Sequence, residues 1–262
     1  MSFIRSLAKA ALPPAVTVRL RATFKRHELE RLLLPALCDP KKAGLDIGAA
    51  LGAYTWPLSR LCQSCIAFEP NPLQAAYLRR ALGKSVRIEN CALSDQDGET
   101  TLLIPLERGR DMAGLATVGS GEWLQGREVR RQTVIMHRLD SFDLPPVGFI
   151  KLDVEGHELA VLKGAGNLLR RDKPILLTEL EERFAEGAIA QVASLLEPLD
   201  YRGFFLEKDR FRPWQTFNVS IHQAMENWGV IGRYINNFIW ITEQALPSAA
   251  ERLSRLGYPL NS

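Results

Sequence analysis

A short apolar segment followed by two glycines constrains the fold of this chain more than any other feature. Residues Ala43–Ile47 are mainly apolar, which is typical of a strand covered on both faces of a parallel sheet. Gly48 and Gly52 follow at positions where the backbone must turn sharply and a Cβ would forbid a positive φ. Open α/β sheets bind ligands beyond the carboxyl ends of such strands, so this stretch predicts a nucleotide-type cofactor site.

The position of Asp46 distinguishes this turn from a dinucleotide-binding turn. The spacing over residues 46–52 is Asp-x-Gly-x-x-x-Gly, whereas Gly-x-Gly-x-x-Gly holds a pyrophosphate and has no acid in the turn. A carboxylate at the end of the strand repels phosphate and favours a cation. S-adenosylmethionine carries an ammonium and a sulfonium, so it is the cofactor we expect here.

A second acid, Glu69, ends the next predicted strand, at residues 65–68. An acid about twenty residues after the glycine turn accepts hydrogen bonds from ribose hydroxyls in this architecture. Pro70, Asn71 and Pro72 follow, and proline ends a strand but suits the first turn of a helix. We therefore expect Glu69 to be held at the strand tip beside the cofactor.

Length and composition limit the chain to one globular core. Its 262 residues suffice for one α/β domain with a small insertion, and 46% hydrophobic and 24% charged residues are ordinary values. No apolar run reaches the ~18 residues of a membrane span, and Arg5 and Lys9 interrupt the first one, which does not resemble a signal peptide. Cys62 and Cys65 have a zinc-like spacing but no nearby histidine pair, so we expect free thiols in a reducing cytoplasm.

The N-terminal part of the chain is basic. Its first 31 residues include seven basic and two acidic ones, a net charge of +5, whereas the rest of the chain carries −2. An amphipathic stretch at residues 1–12 is followed, after Pro13 and Pro14, by a helix predicted over residues 16–37. We expect residues 1–31 to make a peripheral contact with an anionic membrane, at the inner face of the cell membrane. The alternative is a lid, with Val16, Leu20 and residues 32–34 packed over the sheet.

Alternating strands and helices predict a Rossmann-like α/β fold with a doubly wound, mainly parallel sheet. The predicted strands are residues 43–47, 65–68, 86–89, 149–154, 174–178, 203–206 and 237–242, the last with alternating burial. The predicted helices are residues 54–61, 73–82, 157–170 and 189–196. Two further extended segments lie within residues 98–140, which we interpret as a β excursion carrying a substrate-facing loop. The predicted divisions are a basic helical appendage (1–40), a domain (41–245) and a helical tail (246–262).

These motifs resemble those of the FkbM-type methyltransferases, class I enzymes that use S-adenosylmethionine. The matching motifs are Leu-Asp-Ile-Gly-Ala at residues 45–49, Gly-Ala-Tyr at 52–54, Ala-Phe-Glu-Pro-Asn-Pro at 67–72, Ala-Leu-Ser-Asp at 92–95, Leu-Asp-Ser at 139–141 and Phe-Ile-Lys-Leu-Asp-Val-Glu-Gly-His-Glu at 149–158. The resemblance covers about residues 43–242. It implies O-methylation of a hydroxyl, often on a sugar or polyketide, and an antiparallel last strand inserted in the sheet. One position departs from the family, which usually has an asparagine where this chain has Ala50.

The candidate site residues follow from the strand ends and from this resemblance. The cofactor-binding set is Asp46, Gly48, Ala49, Gly52, Tyr54, Glu69, Pro70, Asn71, Asn90, Ala92 and Asp153. The acceptor hydroxyl must lose a proton, and the catalytic candidates beyond the fourth strand are Asp153, Glu155 and His157. His157 is favoured because a histidine, with an ordinary pKa of about 6.5, accepts a proton at neutral pH. Alternatively, Asp153 and Glu179 share a divalent cation that lowers the pKa of the hydroxyl.

The favoured function is O-methylation of a sugar, glycan or glycolipid in polysaccharide or natural-product biosynthesis. The alternatives are methylation of another small molecule, or a non-catalytic protein that binds S-adenosylmethionine. An amino-directed base methylase is expected to end the fourth strand in Asp/Asn-Pro-Pro-aromatic, whereas residues 153–156 are Asp-Val-Glu-Gly. We therefore expect no nucleic acid partner.

Overall fold

A computed structural model describes residues 12–24, 28–119, 121–230 and 232–260. Its strands are β1 (Ala43–Ile47), β2 (Ser64–Phe68), β3 (Arg87–Glu89), β4 (Ala92–Leu93), β5 (Gly98–Glu107), β6 (Arg110–Asp111), β7 (Val129–His137), β8 (Val147–Leu152), β9 (Ile175–Glu179), β10 (Tyr201–Glu207), β11 (Arg210–Pro213) and β12 (Asn237–Thr242). Its α-helices are α1 (Pro14–Phe24), α2 (Leu34–Leu37), α3 (Thr55–Leu61), α4 (Pro72–Leu82), α5 (Glu158–Lys163), α6 (Gly166–Asp172), α7 (Ala188–Leu196), α8 (Val219–His222) and α9 (Leu246–Arg255). None of the described helices is long and apolar enough to cross a bilayer.

Eight strands form the main sheet, in the order β11-β10-β12-β9-β8-β1-β2-β3. Strands β3, β2, β1, β8 and β9 are parallel, and β12 is antiparallel to both neighbours, β9 and β10. This order confirms the predicted doubly wound, mainly parallel α/β sheet with an antiparallel last strand inserted in it. The alternating burial expected for β12 was wrong, because all six of its residues are buried. Ile239 and Ile241 enter one apolar core, and Phe238 and Trp240 enter the core on the other face.

Strand β1 lies where the strand order reverses, with β2 on one side and β8 on the other. All five of its residues are buried, because apolar cores cover both faces of the sheet. In open α/β sheets the crevice at such a reversal, beyond the carboxyl ends of the strands, is the usual ligand site. The sheet therefore places the residues that follow β1, β2 and β8 around one crevice.

A second sheet, in the order β4-β7-β5-β6, occupies most of the predicted β excursion. Strands β5 and β7 pair antiparallel over eight residue pairs. The connection between them folds back on β5, since Leu103 and Thr117 form an isolated antiparallel bridge. Within this connection, a 3-10 turn at Ala113–Leu115 returns to the carboxyl edge of the main sheet.

The single helix predicted over residues 16–37 was wrong. The chain forms α1, is extended at Glu28, makes a 3-10 turn at Leu29–Leu33 and then enters α2. Pro35 lies in the first turn of α2, and proline is tolerated there but breaks a helix interior. The apolar contacts agree with the expected lid only in part. Leu33 and Leu34 are buried, whereas Val16, Leu20 and Leu32 are exposed, and in α1 it is Val18 that is fully buried. The amphipathic stretch predicted at residues 1–12 lies outside the described residues, apart from Leu12.

The helix predicted over residues 157–170 is also interrupted, at Gly164. A Cβ on Gly164 would lie 1.9 Å from the carbonyl oxygen of Ser94, so this close packing requires glycine. The second piece, α6, has its own N-terminal cap, because the Asp140 carboxylate accepts hydrogen bonds from the backbone N–H groups of Asn167 and Leu168, at 2.8 and 2.9 Å. Tertiary packing thus splits a segment whose pattern indicates one helix.

Candidate active site

The turn after β1 joins two neighbouring strand ends. Gly48 and Ala49 both donate backbone hydrogen bonds to the carbonyl oxygen of Phe68, at 3.0 and 3.1 Å. Gly48 has the positive φ expected of it, +81°, and a Cβ there would lie 1.8 Å from the carbonyl oxygen of Asp153. Glycine is needed at this position because the loops after β1 and β8 touch each other.

Gly52 serves a different contact from the one predicted. Its φ is +80°, and a Cβ would meet Val18 of α1 at 2.8 Å and Leu78 of α4 at 2.9 Å. Gly52 is not among the described residues that line the cavities below. Its role in the structure is to let α1 pack closely against α4 and the turn.

Asp46 lies at the end of β1 and is buried. Its carboxylate accepts a hydrogen bond of 2.5 Å from the hydroxyl of Thr55, in the first turn of α3. Burial raises the pKa of Asp46 to about 6, against the lowering effect of this hydrogen bond. The group is therefore predominantly a carboxylate at neutral pH, as recognition of a cation requires.

Glu69 is held at the tip of β2 by backbone groups on both sides. Its two carboxylate oxygens accept hydrogen bonds from the N–H groups of Ala50, at 2.7 Å, and Asn71, at 2.8 Å. Burial raises the pKa of Glu69 to about 7. Each carboxylate oxygen has two acceptor sites, so Glu69 can also accept hydrogen bonds from a ligand diol.

Asn71 and Asn90 support this loop with their side chains. The Asn71 side chain caps α4 by accepting a hydrogen bond of 3.1 Å from the N–H of Leu73. The Asn90 amide donates to the carbonyl oxygens of Glu69 and Pro70, at 2.8 and 3.1 Å. The Asn71 side chain thus fixes the start of the following helix, and the Asn90 side chain holds the backbone of Glu69 and Pro70.

Two adjoining cavities lie at the carboxyl edge of the main sheet. The first, which we call the strand-end cavity, has a volume of about 770 Å³ including its open mouth. It is lined by Ile47, Gly48, Ala50, Phe68, Glu69, Pro70, Cys91, Ala92, Leu93, Leu102, Ala113, Gly114, Ala116, Val118, Asp153, Val154 and Glu155. The second, the N-terminal cavity, has a volume of about 660 Å³. It is lined by Arg21, Glu28, Asp46, Gly48, Ala49, Ala50, Leu51, Ala53, Tyr54, Gln74, Gly114, Lys151 and Asp153.

Four residues line both cavities: Gly48, Ala50, Gly114 and Asp153. Asp153 is the only ionisable group among them, and its side chain is 30% exposed. The two cavities therefore meet beside Asp153. The connection inside the β excursion closes them from the other side through Gly114.

Lys151 is a fully buried cation beneath this junction. Its ammonium lies 3.5 Å from Asp153, 3.7 Å from Glu179 and 5.1 Å from the centre of the Tyr54 ring. Burial lowers the pKa of Lys151, but Asp153 and Glu179 more than reverse this effect and raise it overall. The ammonium thus lies between the two acids that were predicted to share a divalent cation, and it offsets part of their negative charge. Among the described residues, no group of three or more His, Cys, Asp or Glu side chains could hold a metal.

Glu155 has an unusual backbone and an unusual carboxyl group. Its φ is +55°, a value that costs a non-glycine residue of the order of 1 kcal/mol, and Gly156 follows with a φ of +94°. Burial, and next the charges of Asp153 and Glu181, raise the pKa of Glu155 well above its ordinary value. Such strain and pKa shifts are concentrated at functional sites.

The remaining candidates in this loop are bound to protein groups. His157 is not among the described residues lining either cavity, and its Nε2 lies 2.9 Å from the hydroxyl of Ser94. Burial lowers the pKa of His157 below its ordinary value. Glu158 accepts hydrogen bonds from the N–H groups of Val154 and Gly156, at 3.0 and 3.2 Å.

A protein-family model matches the part of the chain that contains most of these site residues. The family model described as "Methyltransferase FkbM domain" matches residues 46–206, more than half of the chain. The chain belongs to the FkbM methyltransferase family. The sequence motifs at residues 45–49, 67–72 and 149–158 had already predicted this, and they contribute the ends of β1, β2 and β8 to the cavities. Functionally curated proteins give no significant match.

Several solved methyltransferase structures are similar to this FkbM chain at low sequence identity. Methyltransferase FkbM from Methylobacillus flagellatus is 13% identical, with a TM-score of 0.48 over 77% of this chain and 43% of that one. Precorrin-6y C5,15-methyltransferase from Geobacter metallireducens is 13% identical, with a TM-score of 0.39 over 70% and 78% of the two chains. An rRNA methylase from Streptococcus thermophilus is 12% identical, with a TM-score of 0.44 over 83% and 95%. This chain thus spans less than half of the Methylobacillus protein.

The site residues of this family member fit S-adenosylmethionine chemically. Glu69 offers free acceptor sites for a diol, and the residues beside it, Cys91, Ala92 and Leu93, provide an apolar wall for a base. The N-terminal cavity combines three acids with two bases, which suits a ligand whose positive charges outnumber its negative charge by one. The sequence did not predict that Arg21 and Glu28, from outside the family's domain, line this cavity. No motif marks them, since only the tertiary structure brings the appendage to the site.

Proposed function

We propose that this FkbM methyltransferase transfers a methyl group from S-adenosylmethionine to a hydroxyl of a sugar, glycan or glycolipid. One observation supports the proposal most: the two cavities meet at Asp153, and Glu155, a half-buried acid of raised pKa, lies two residues away. The first cavity suits a nucleoside and the second suits an amino-acid group. The acceptor hydroxyl would then enter beside Asp153 and Glu155.

The residues at this junction can orient a hydroxyl and take its proton. When bound, S-adenosylmethionine supplies an electrophilic methyl group on a positively charged sulfur. Asp153, held by Lys151, accepts a hydrogen bond from the substrate hydroxyl and so orients its oxygen. Most of the rate gain in such a displacement comes from orienting the reacting groups. As the hydroxyl oxygen forms its bond to the methyl carbon, the oxygen loses its proton, and Glu155 accepts that proton. We assign the base to Glu155 and not to His157, because Glu155 lines the strand-end cavity whereas His157 is bonded to Ser94.

The acceptor class rests on chemistry and on the family. A cavity junction with several carboxylates provides hydrogen-bond acceptors, which sugar hydroxyls need and apolar acceptors do not. We further propose that residues 1–12 bring the protein to an anionic membrane surface, where lipid-linked sugars would be found. The basic, amphipathic character of that stretch supports this contact.

The proposal predicts a specific pH dependence of turnover. Labelled S-adenosylmethionine and glycolipid or polysaccharide extracts from the source cell provide the assay. Because the pKa of Glu155 is raised above that of an ordinary glutamate, the carboxylate that accepts the proton forms only at higher pH, and kcat/KM should rise as pH rises through this titration. Glu155→Gln should lower turnover by about 100-fold and remove this rise.

The controls separate the possible bases. Glu186→Gln makes the same chemical change at an exposed site and should leave turnover and its pH profile unchanged. His157→Ala should lower turnover less than about threefold, since other groups remain in place. If His157→Ala removes the pH-dependent rise and Glu155→Gln does not, the base is His157. Binding of S-adenosylmethionine without transfer to any extract would instead support a non-catalytic protein.

A further inference from the structure

The N-terminal appendage forms one wall of the N-terminal cavity. Arg21, near the end of α1, and Glu28, just before the Leu29–Leu33 turn, line this cavity together with Asp46 and Asp153. Both residues precede the FkbM domain, which begins at residue 46. The site is therefore assembled from the matched family domain and from a segment that precedes it.

Arg31 and Val18 hold this wall in place. The Arg31 guanidinium donates to the carbonyl oxygens of Arg21, at 3.4 Å, and Ala22, and it lies 5.7 Å from the centre of the Tyr54 ring. On the opposite side, buried Val18 packs in the space that a Cβ on Gly52 would fill. The end of α1 is thus fixed directly to the cofactor turn.

The charges on this cavity complement a zwitterion. Its acids are Glu28, Asp46 and Asp153, and its bases are Arg21 and Lys151. Lys151 is buried between Asp153 and Glu179, so its charge is shared with those acids. Arg21 is half-buried on the appendage side and presents a planar donor group, which matches a carboxylate in geometry.

We propose that Arg21 binds the α-carboxylate and Glu28 the α-ammonium of the amino-acid end of S-adenosylmethionine. The inference rests on the proposed cofactor and adds two residues outside the family domain to its site. It makes the appendage part of the cofactor-binding machinery of this chain. An adenosine ligand that lacks the amino-acid end should then be insensitive to both residues.

Calorimetric titration with two ligands tests this directly. S-adenosylhomocysteine retains the amino-acid end, and 5′-methylthioadenosine lacks it. Hydrogen bonds to charged groups contribute enough that Arg21→Ala should weaken S-adenosylhomocysteine binding at least about 10-fold. Glu28→Gln should weaken it similarly. Binding of 5′-methylthioadenosine should change less than about twofold in either variant.

Arg19→Ala is the matched control, because Arg19 lies on the same helix but stacks on Trp56, 4.7 Å from the ring centre. It should leave both affinities unchanged. If Arg21→Ala and Glu28→Gln weaken the binding of both ligands equally, the segment only supports the fold of the site. If the affinities are unchanged, the segment does not contact the ligand. Either result overturns the inference. If the wild-type protein binds neither ligand, the proposed cofactor is wrong, which is a separate outcome.

Discussion

At the scale of single residues, two non-glycine positions of the candidate site have left-handed backbone conformations. Ala50 has a φ of +47° and Glu155 a φ of +55°. Alanine has no side-chain group to stabilise this conformation, whereas asparagine adopts it more readily. The asparagine usual in the family at the position of Ala50 is thus explained by backbone geometry, with the N–H of this residue bonded to Glu69.

Ala50→Asn should therefore stabilise the protein. We expect the free energy of unfolding, measured by urea denaturation, to rise by about 0.5–1 kcal/mol. The matched control is Ala53→Asn, in the same turn but without a positive φ, which should bring no gain. A fall in stability for Ala50→Asn would mean that side-chain crowding in the cavity outweighs the relief of backbone strain.

At the scale of elements, the basic N-terminal part divides into two. Arg21 lines a cavity and Arg31 bonds to the end of α1, so these two charges face the protein and cannot meet a membrane at the same time. Arg19 is exposed, but its guanidinium stacks on Trp56. The proposed membrane contact accordingly depends on residues 1–12, where Arg5 and Lys9 lie.

Sedimentation with anionic vesicles should show this division. The full chain should sediment with the vesicles at low salt and less at high salt. Each basic residue near an anionic surface contributes about 1 kcal/mol to the binding free energy, and salt screens this attraction. A chain lacking residues 1–12 should remain in the supernatant, whereas Arg19→Ala in the full chain should behave as wild type. Equal sedimentation with and without residues 1–12 would contradict the proposed contact.

At the scale of the whole molecule, several buried acids have raised pKa values. Burial raises the pKa of Glu30, Glu69 and Glu158 each to about 7. In the unfolded chain these groups titrate near 4.5. The folded protein therefore holds protons that the unfolded chain releases, and this contribution to stability is lost as pH rises through about 7.

Glu30→Gln isolates this effect at a residue away from the cavity lining. Between pH 5.5 and 8 the stability of the variant relative to wild type should increase by about 2 kcal/mol, since the glutamine never ionises. Comparing the variant with wild type cancels the opposite effect of His157, whose pKa burial lowers. Urea denaturation at the two pH values measures the difference, with exposed Glu186→Gln as a control that should show none. A difference independent of pH would mean that Glu30 is already ionised when buried.

The family and the sheet could be predicted from the sequence, and most of the predicted cofactor-binding residues line one of the two cavities. Asp46, Gly48, Glu69 and Asp153 follow directly from strand ends, because parallel strands place the residues after them at one edge whatever the rest of the chain does. These properties depend on short-range patterns of burial and turn chemistry.

The tertiary structure alone decided which of those residues share a cavity. The sequence assigned three residues to the cofactor whose contacts in the structure are with the protein. The side chains of Asn71 and Asn90 bond to backbone groups, and the absence of a Cβ at Gly52 allows α1 to pack closely. Arg21 and Glu28 reach the site across more than a hundred residues of sequence from Asp153, through the packing of α1 on the turn. The local sequence determines the secondary-structure preference of each segment. Contacts of this kind depend on how distant segments pack together, and no periodicity or motif spacing predicts that packing.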